Sequence, residues 1–322
     1  MKTGTKVWLM IAASLVLIGC IIFAEVMSML KWDFSKLSTV QYQTNTYKIS
    51  EAFDSISITT DTANIVFAVS NDGTCKVECY EEEKAKHSVT VQDGTLVMEL
   101  ANNKHWYDHI GINIRSPKIT VYLPETQYTT LLIREDTGDI AIPKDFSFQN
   151  VDISLSTGDV DLWASASETV KIKGSTGNIR VQSISAGSLE ITVTTGKVTA
   201  SGVNCAGNIT VNVSTGKGNL TDICCQNLTS SGNTGDISLK NVIAQERFSI
   251  QRSTGDVTLD GCDAAEISVE TDTGSVVGSL LTGKEFITET STGKIDVPKT
   301  TTGGLCRIKT ETGNIKITIQ QS

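Results

Sequence analysis

The sequence is poor in the residues that enzymes and helical domains rely on. Its 322 residues include 3 histidines, 4 prolines and only 6% aromatic side chains, against 26 glycines. Helix-rich enzymes seldom show this balance; abundant Thr, Ser, Val and Ile between glycines favours short strands joined by turns. No nucleophile–base pattern accompanies the three histidines, so neither a catalytic residue nor a cofactor is expected. Basic residues are scarce as well. The net charge is −9, and setting aside Lys2, Lys6 and Glu25 leaves about −10 on the rest of the chain. An acidic chain without a basic patch excludes nucleic acid as a partner, because phosphates demand clustered Lys and Arg. It equally excludes peripheral attachment to anionic lipid.

A long apolar run is present, at residues 7–24, preceded by Lys2 and Lys6. As a helix its 18 residues span about 27 Å, close to one hydrocarbon core. The flanking positive charge keeps the N-terminus on the cytoplasmic side. The expectation is a single-pass anchor over residues 1–30, with residues 31–322 extracellular. Two alternatives stand beside it. Leu17-Ile18-Gly19-Cys20 resembles a lipobox, which would place a lipid on Cys20, although the run continues apolar through Ile21, Ile22 and Phe23. A cleaved signal peptide is the other, but no small-x-small site closes the run.

Beyond the anchor, a Thr-Gly pair recurs. Its glycines are Gly138, Gly158, Gly177, Gly196, Gly216, Gly235, Gly255, Gly274, Gly293 and Gly313, always 19 or 20 residues apart. A fixed period of this size signals a stacked repeat. Columns identify the repeat. Two residues after the glycine stand Ile140, Val160, Ile179 and Val198; four after, Ile142, Leu162, Val181 and Ala200; seven before, Val170, Leu189, Ile209 and Leu228. Polar residues fall between them. Alternation within a copy and apolar columns between copies describe an all-β parallel solenoid of 19–20-residue coils, in which each glycine is a corner. An antiparallel sandwich would not hold this register through ten copies. By parity, the Thr before each glycine should face inward and stack as a hydroxyl ladder. One coil cannot bury enough apolar surface to offset ordering its backbone, so only the array is stable.

The expected organisation is an anchor over residues 1–30, a linker over 31–54, irregular first coils and an N-terminal cap over 55–130, and ten coils over 131–322. Within the cap segment, residues 55–67 read as a degenerate copy with Ala63 in the glycine place, and Glu81-Glu82-Glu83 as an acidic tip.

Several patterns invite a chemical reading. Asp136-Thr137-Gly138 and Asp272-Thr273-Gly274 carry the triplet of aspartic proteases, which need two carboxylates sharing a proton. Seven coils apart, roughly 34 Å at 4.8 Å per coil, they cannot do so. Asp139, Asp159, Asp236 and Asp256 follow their corner glycines, but Lys197, Lys217 and Lys294 occupy the same column and spoil a calcium ladder. His105, Asp108 and His109 could hold a metal, but a structural loop between cap strands is the commoner reading of such a cluster. Of the eight cysteines, Cys205, Cys225, Cys262 and Cys306 fall in apolar or small-residue columns and read as buried thiols; Cys205 and Cys225 are the one pair that stacking on adjacent coils could bring near bonding distance, and the sequence leaves open whether they join. No paired CxxC sets suggest zinc.

The chain resembles the DUF4097 family of bacterial membrane-anchored β-strand-repeat proteins. The residues carrying the likeness are Asp33-Phe34-Ser35-Lys36-Leu37, Thr60-Asp61-Thr62, Ser116-Pro117-Lys118-Ile119-Thr120-Val121, the repeated Thr-Gly-Asp/Asn, and the tail from Asp296-Val297-Pro298 to Gly303-Gly304. The likeness covers roughly residues 33–322. It implies a surface or envelope protein of a Gram-positive bacterium, with no catalytic residues; such proteins are commonly labelled adhesins. The expected function is therefore a non-enzymatic adhesin or envelope scaffold, presenting a polar face to an extracellular or envelope protein or glycan. The alternative is an envelope-stress accessory protein acting on a membrane partner through residues 25–50 or the cap.

Overall fold

The computed structural model describes residues 3–33, 41–102 and 115–320. A 27-residue helix, Thr3–Met29, opens the chain. Its 26-residue stretch Gly4–Met29 is long and apolar enough to cross a membrane. Lys31 and Trp32 end it in the left-handed region, and the Trp32 N–H donates to the Met27 carbonyl (2.8 Å) to close the last turn. Cys20 lies exposed within this helix.

The solenoid follows from the alternation. In the Gly158 coil, Val151, Ile153, Leu155, Val160 and Leu162 are buried while their neighbours face out. The strand Ser147–Thr157 lies between Gln127–Thr137 and Ser165–Thr176, parallel to both. Ile153 stacks in register on Ile133 and Ile172, so the apolar columns become continuous ladders. Corner glycines are needed twice over. Gly158 has φ 139°, and a Cβ added there would overlap the carbonyl of Gly138 one coil below.

Two features differ from the expectations. The threonines before the corners are exposed, not inward. Alternation breaks one residue early: Ser156 and Thr157 both face solvent, and the interior of the corner is filled from three residues before the glycine, by Leu155, Val193 or Val213. Hydroxyls do stack there near the C-terminus. Thr271 Oγ1 donates to Gly255 O (3.3 Å), and Thr310 Oγ1 to Gly274 O (2.9 Å).

The second difference is stacking order, which departs from sequence order at both ends. Glu266–Thr273 pairs with Gly304–Thr312, and Lys284–Thr292 pairs with the other edge of Gly304–Thr312. The Gly313 coil therefore lies between the Gly274 and Gly293 coils. At the opposite end, Ser55–Thr62 lies between Gln127–Thr137 and Thr95–Asn102, while Asn64–Val69 lies between Ile140–Ile142 and Lys118–Leu123. The degenerate Ala63 copy is thus a true coil, tucked one layer in.

Antiparallel strands close the N-terminal end. Tyr42–Ile49, within the segment read as a linker, pairs with Cys75–Glu82, which pairs in turn with Lys118–Leu123; Ala85–Gln92 pairs with Thr95–Asn102.

Candidate functional site

Two grooves run along the outer columns beside the corner. One groove of about 510 Å³ is lined by residues including Thr60, Arg134, Glu135, Ser154, Lys173 and Thr192. A second, of about 290 Å³, is lined by residues including Asn212, Ser231, Gln251, Arg252, Glu270 and Asp272. Both run along the positions two to four residues before the corner glycine, so together they follow the stack from the Ala63 coil to the Gly274 coil.

The residue after each glycine serves the stack itself. Asp139 Oδ1 accepts from the Asp159 N–H (2.9 Å), Asp159 Oδ1 from the Asn178 N–H (2.7 Å), and Asp256 Oδ1 from the Ser275 N–H (2.7 Å). These carboxylates cap backbone donors of the adjacent coil. Where lysine breaks the row, Lys217 pairs with Asp236 at 3.2 Å. Asp136 and Asp272 are exposed at corners seven coils apart. From Gly158 to Gly274 each corner glycine lies against the carbonyl of the preceding one, and Gly313 lies against Gly274 and Gly293 against Gly313. His105, Asp108 and His109 lie outside the described residues.

Sequence reasoning missed the buried polar groups. Glu135 fills a corner at 5% exposure, with Oε1 accepting from the Ala63 N–H (3.1 Å) and Oε2 without a partner among the described residues. Burial raises its pKa to about 7, assisted by Asp139 and Asp136 and opposed by the Ala63 hydrogen bond. Arg252 fills another corner at 1% exposure, lying over Gly232 where a side chain would collide with it. Its guanidinium donates to Val213 O, Ser231 O and Ser230 Oγ. Lys284 is buried at the C-terminal end, donating to Asp263 Oδ1 (2.6 Å), Ala264 O (2.7 Å) and Thr282 Oγ1 (2.8 Å).

The densest network is in the cap. Glu81, read as part of an exposed acidic tip, is 1% exposed. Its Oε2 accepts from the His87 N–H and contacts His87 Nδ1, each at 2.7 Å, while Oε1 accepts from Asn45 Nδ2 (2.5 Å). Burial alone would raise the Glu81 pKa; the hydrogen bonds from His87 and Asn45 outweigh it and hold the group ionised. His87 Nε2 meets Thr60 Oγ1 at 2.9 Å, and Tyr47 donates to the His87 carbonyl. The order hydroxyl–imidazole–carboxylate matches an acyl-transfer relay. Nearby backbone donors are already engaged, however: Ala63 N–H by Thr137 O and Glu135, and Gly138 N–H by Thr157 O. No oxyanion hole forms from them, and Thr60 is 3% exposed. A signal was available in the sequence: Cys79 and Glu81 share a strand face, and His87 follows across a short turn.

No curated protein matches the chain. Among solved structures, it is similar to a candidate adhesin of Bacteroides fragilis, at 19% identity and TM-score 0.40 over 86% of this chain and 97% of that one. It is similar to a candidate lipid-binding protein of Parabacteroides distasonis, at 18% identity and TM-score 0.48 over 75% and 98%. A candidate cell adhesion protein of Clostridium sporogenes matches at 11% identity and TM-score 0.22 over 87% and 100%. The family model described as Toastrack DUF4097 matches residues 53–212 and 204–322, and the chain, with its stacked parallel coils, belongs to that family.

Proposed function

We propose that the protein is a non-enzymatic, membrane-anchored adhesin or envelope scaffold whose partner, an extracellular or envelope protein or glycan, lies along the corner grooves. One observation carries this reading: two grooves edged by hydroxyl, amide and charged side chains follow the same outer columns, backed by an apolar ladder core that holds those side chains in register. A rigid, repeating row of hydroxyls, amides and charges suits an extended ligand better than a small molecule. The apolar helix Thr3–Met29 and the positive charges of Lys2 and Lys6 support an anchor with the solenoid outside.

A membrane-impermeant thiol reagent on intact cells should label the exposed Cys224 of the solenoid; full protection would sink the topology. Filling the first groove with Ser154→Trp and Thr192→Trp should abolish attachment of cells to the target surface while the purified chain keeps its β circular dichroism. Unchanged attachment would sink the groove.

A further inference from the structure

The cap brings a thiol, an imidazole and a carboxylate together in a dry pocket. Cys79 and Glu81 stand two residues apart on the inward face of Cys75–Glu82, and His87 approaches from Ala85–Gln92. One donor atom from each lies within 4.8 Å of the others, and all three residues are buried. We propose that Cys79, Glu81 and His87 bind one borderline-soft divalent ion of the zinc class, tying the strand Cys75–Glu82 to Ala85–Gln92 beside the tucked first coil.

The donor set selects the ion. Thiolate and imidazole suit zinc and its borderline neighbours, whereas calcium and magnesium take oxygen ligands. Thiolate and carboxylate together carry two negative charges, so a dication leaves the buried site neutral, removing the cost of burying an unpaired charge. Bonds of about 2.0–2.3 Å place tetrahedral ligands roughly 3–4 Å apart, so the sulfur, within 4.8 Å of the other donors, needs to approach by at most about 1 Å while the 2.7 Å His87–Glu81 pair opens slightly. The ion takes the place of the hydrogen between His87 Nδ1 and Glu81 Oε2, now 2.7 Å apart, and of the Cys79 thiol proton.

The surroundings complete the arrangement. Metal-bound histidines donate their other N–H to an oxygen, and Thr60 Oγ1 stands 2.9 Å from His87 Nε2. Asn45 holds Glu81 Oε1, leaving Oε2 for the ion. Three protein ligands leave the fourth corner to water. With the site closed, the ion enters as the cap folds.

The test uses the full chain in detergent, made in zinc-supplemented cells and also refolded in zinc or cobalt. The proposal expects about one zinc per chain after passage over a chelating resin, and a thiolate-to-cobalt charge-transfer band in the near ultraviolet. Cys79→Val keeps a buried apolar filler and the His87–Glu81 contact, and should lower metal content roughly tenfold or more, as should His87→Gln. Cys262→Ala, in the solenoid core, should leave both readouts unchanged. Wild-type chain that retains less than about a tenth of an equivalent, or that lacks the cobalt–thiolate band, overturns the proposal. So does undiminished metal in folded Cys79→Val. If that variant fails to fold, the wild-type cobalt band decides alone.

Discussion

The two ends of the stack use one device and finish it differently. At each end the chain's terminal coil is tucked one layer inward, so the outermost layer comes from a segment with chain on both sides. The N-terminal end then adds antiparallel strands and an aromatic interior, in which Phe67 meets Phe146 (6.2 Å between centroids) and Tyr128 meets Phe148 (5.9 Å). Among the described residues, no such strands cover the C-terminal end. Lys284–Thr292 and Ile295–Asp296 each have one ladder neighbour among the described residues, and Ile295, in an inward column, is 45% exposed. Thr288 replaces the aliphatic residue of its column, and Glu285, Glu289 and Lys294 charge the edge. Tucking protects the chain end from fraying, whereas only strand pairing protects a sheet edge; the N-terminal end has both.

Removing the tucked C-terminal coil should produce the largest contrast. Deletion of residues 304–322 strips the Gly293 coil of its neighbour in both faces. Limited proteolysis should then cut within 280–303 while 55–273 stays resistant. Protection of the shortened end would mean that the Gly293 coil has re-docked on the Gly274 coil, and that tucking is dispensable.

Next in size is the Lys284 clamp, which joins coils that are not neighbours. Lys284 registers on Gly304 of the tucked layer, and the missing side chain there lets its ammonium reach Asp263 and Ala264 beyond. Lys284→Met leaves the Asp263 carboxylate unpaired and should cost about 3–5 kcal/mol of local stability. Hydrogen exchange should accelerate across 263–319 and not across the cap. Uniform acceleration would deny the two ends their independence.

The repeat was legible because burial imposes the same residue type every coil: Ile153, Ile172 and Ile191 declare a column whatever the neighbouring residues are. Corner glycines were legible for the same reason. Stacking order was not, since the Gly274, Gly293 and Gly313 coils present equivalent columns and any order satisfies the pattern. Single-copy features escaped as well. Glu135, Arg252 and Lys284 each fill a site once, so no column announces them, and Glu81 looked solvated because Glu82 and Glu83 follow it. The outward threonines escaped because parity assumes a straight strand up to the glycine, and the turn begins at Ser156.

Glu135 gives a smaller effect of opposite sign, on the N-terminal side. Its folded pKa of about 7 lies above the ordinary carboxylate value of 4.5, so the folded state binds the extra proton. Its contribution is therefore fully present below about pH 4.5 and is lost as pH rises to about 7, with stability falling across that window. Glu135→Gln removes the burial of charge and should stabilise the chain by roughly 2 kcal/mol at pH 8, with little change at pH 4.5. Denaturant melts at the two pH values check this. A gain equal at both would assign the effect to packing.

The smallest effect should come from the exposed pairs that bridge adjacent coils, and it tests whether the rim contributes to the difference between the ends. Arg134 donates to Asp152 through two nitrogens (3.0 and 2.9 Å) near the N-terminal end, and Arg247 meets Glu266 at 3.1 Å toward the other. All four side chains are more than a third exposed, so water and salt screen them. Arg134→Ala and Arg247→Ala should each cost less than about 1 kcal/mol, Arg134 the more because its geometry is bidentate. Both losses should shrink in about 1 M salt, where the screening length is about 3 Å. A salt-independent loss at Arg134 would place its value in the bonds it also makes to the Ile133 and Asp152 carbonyls, and the rim there would then belong to the ladder rather than to the surface.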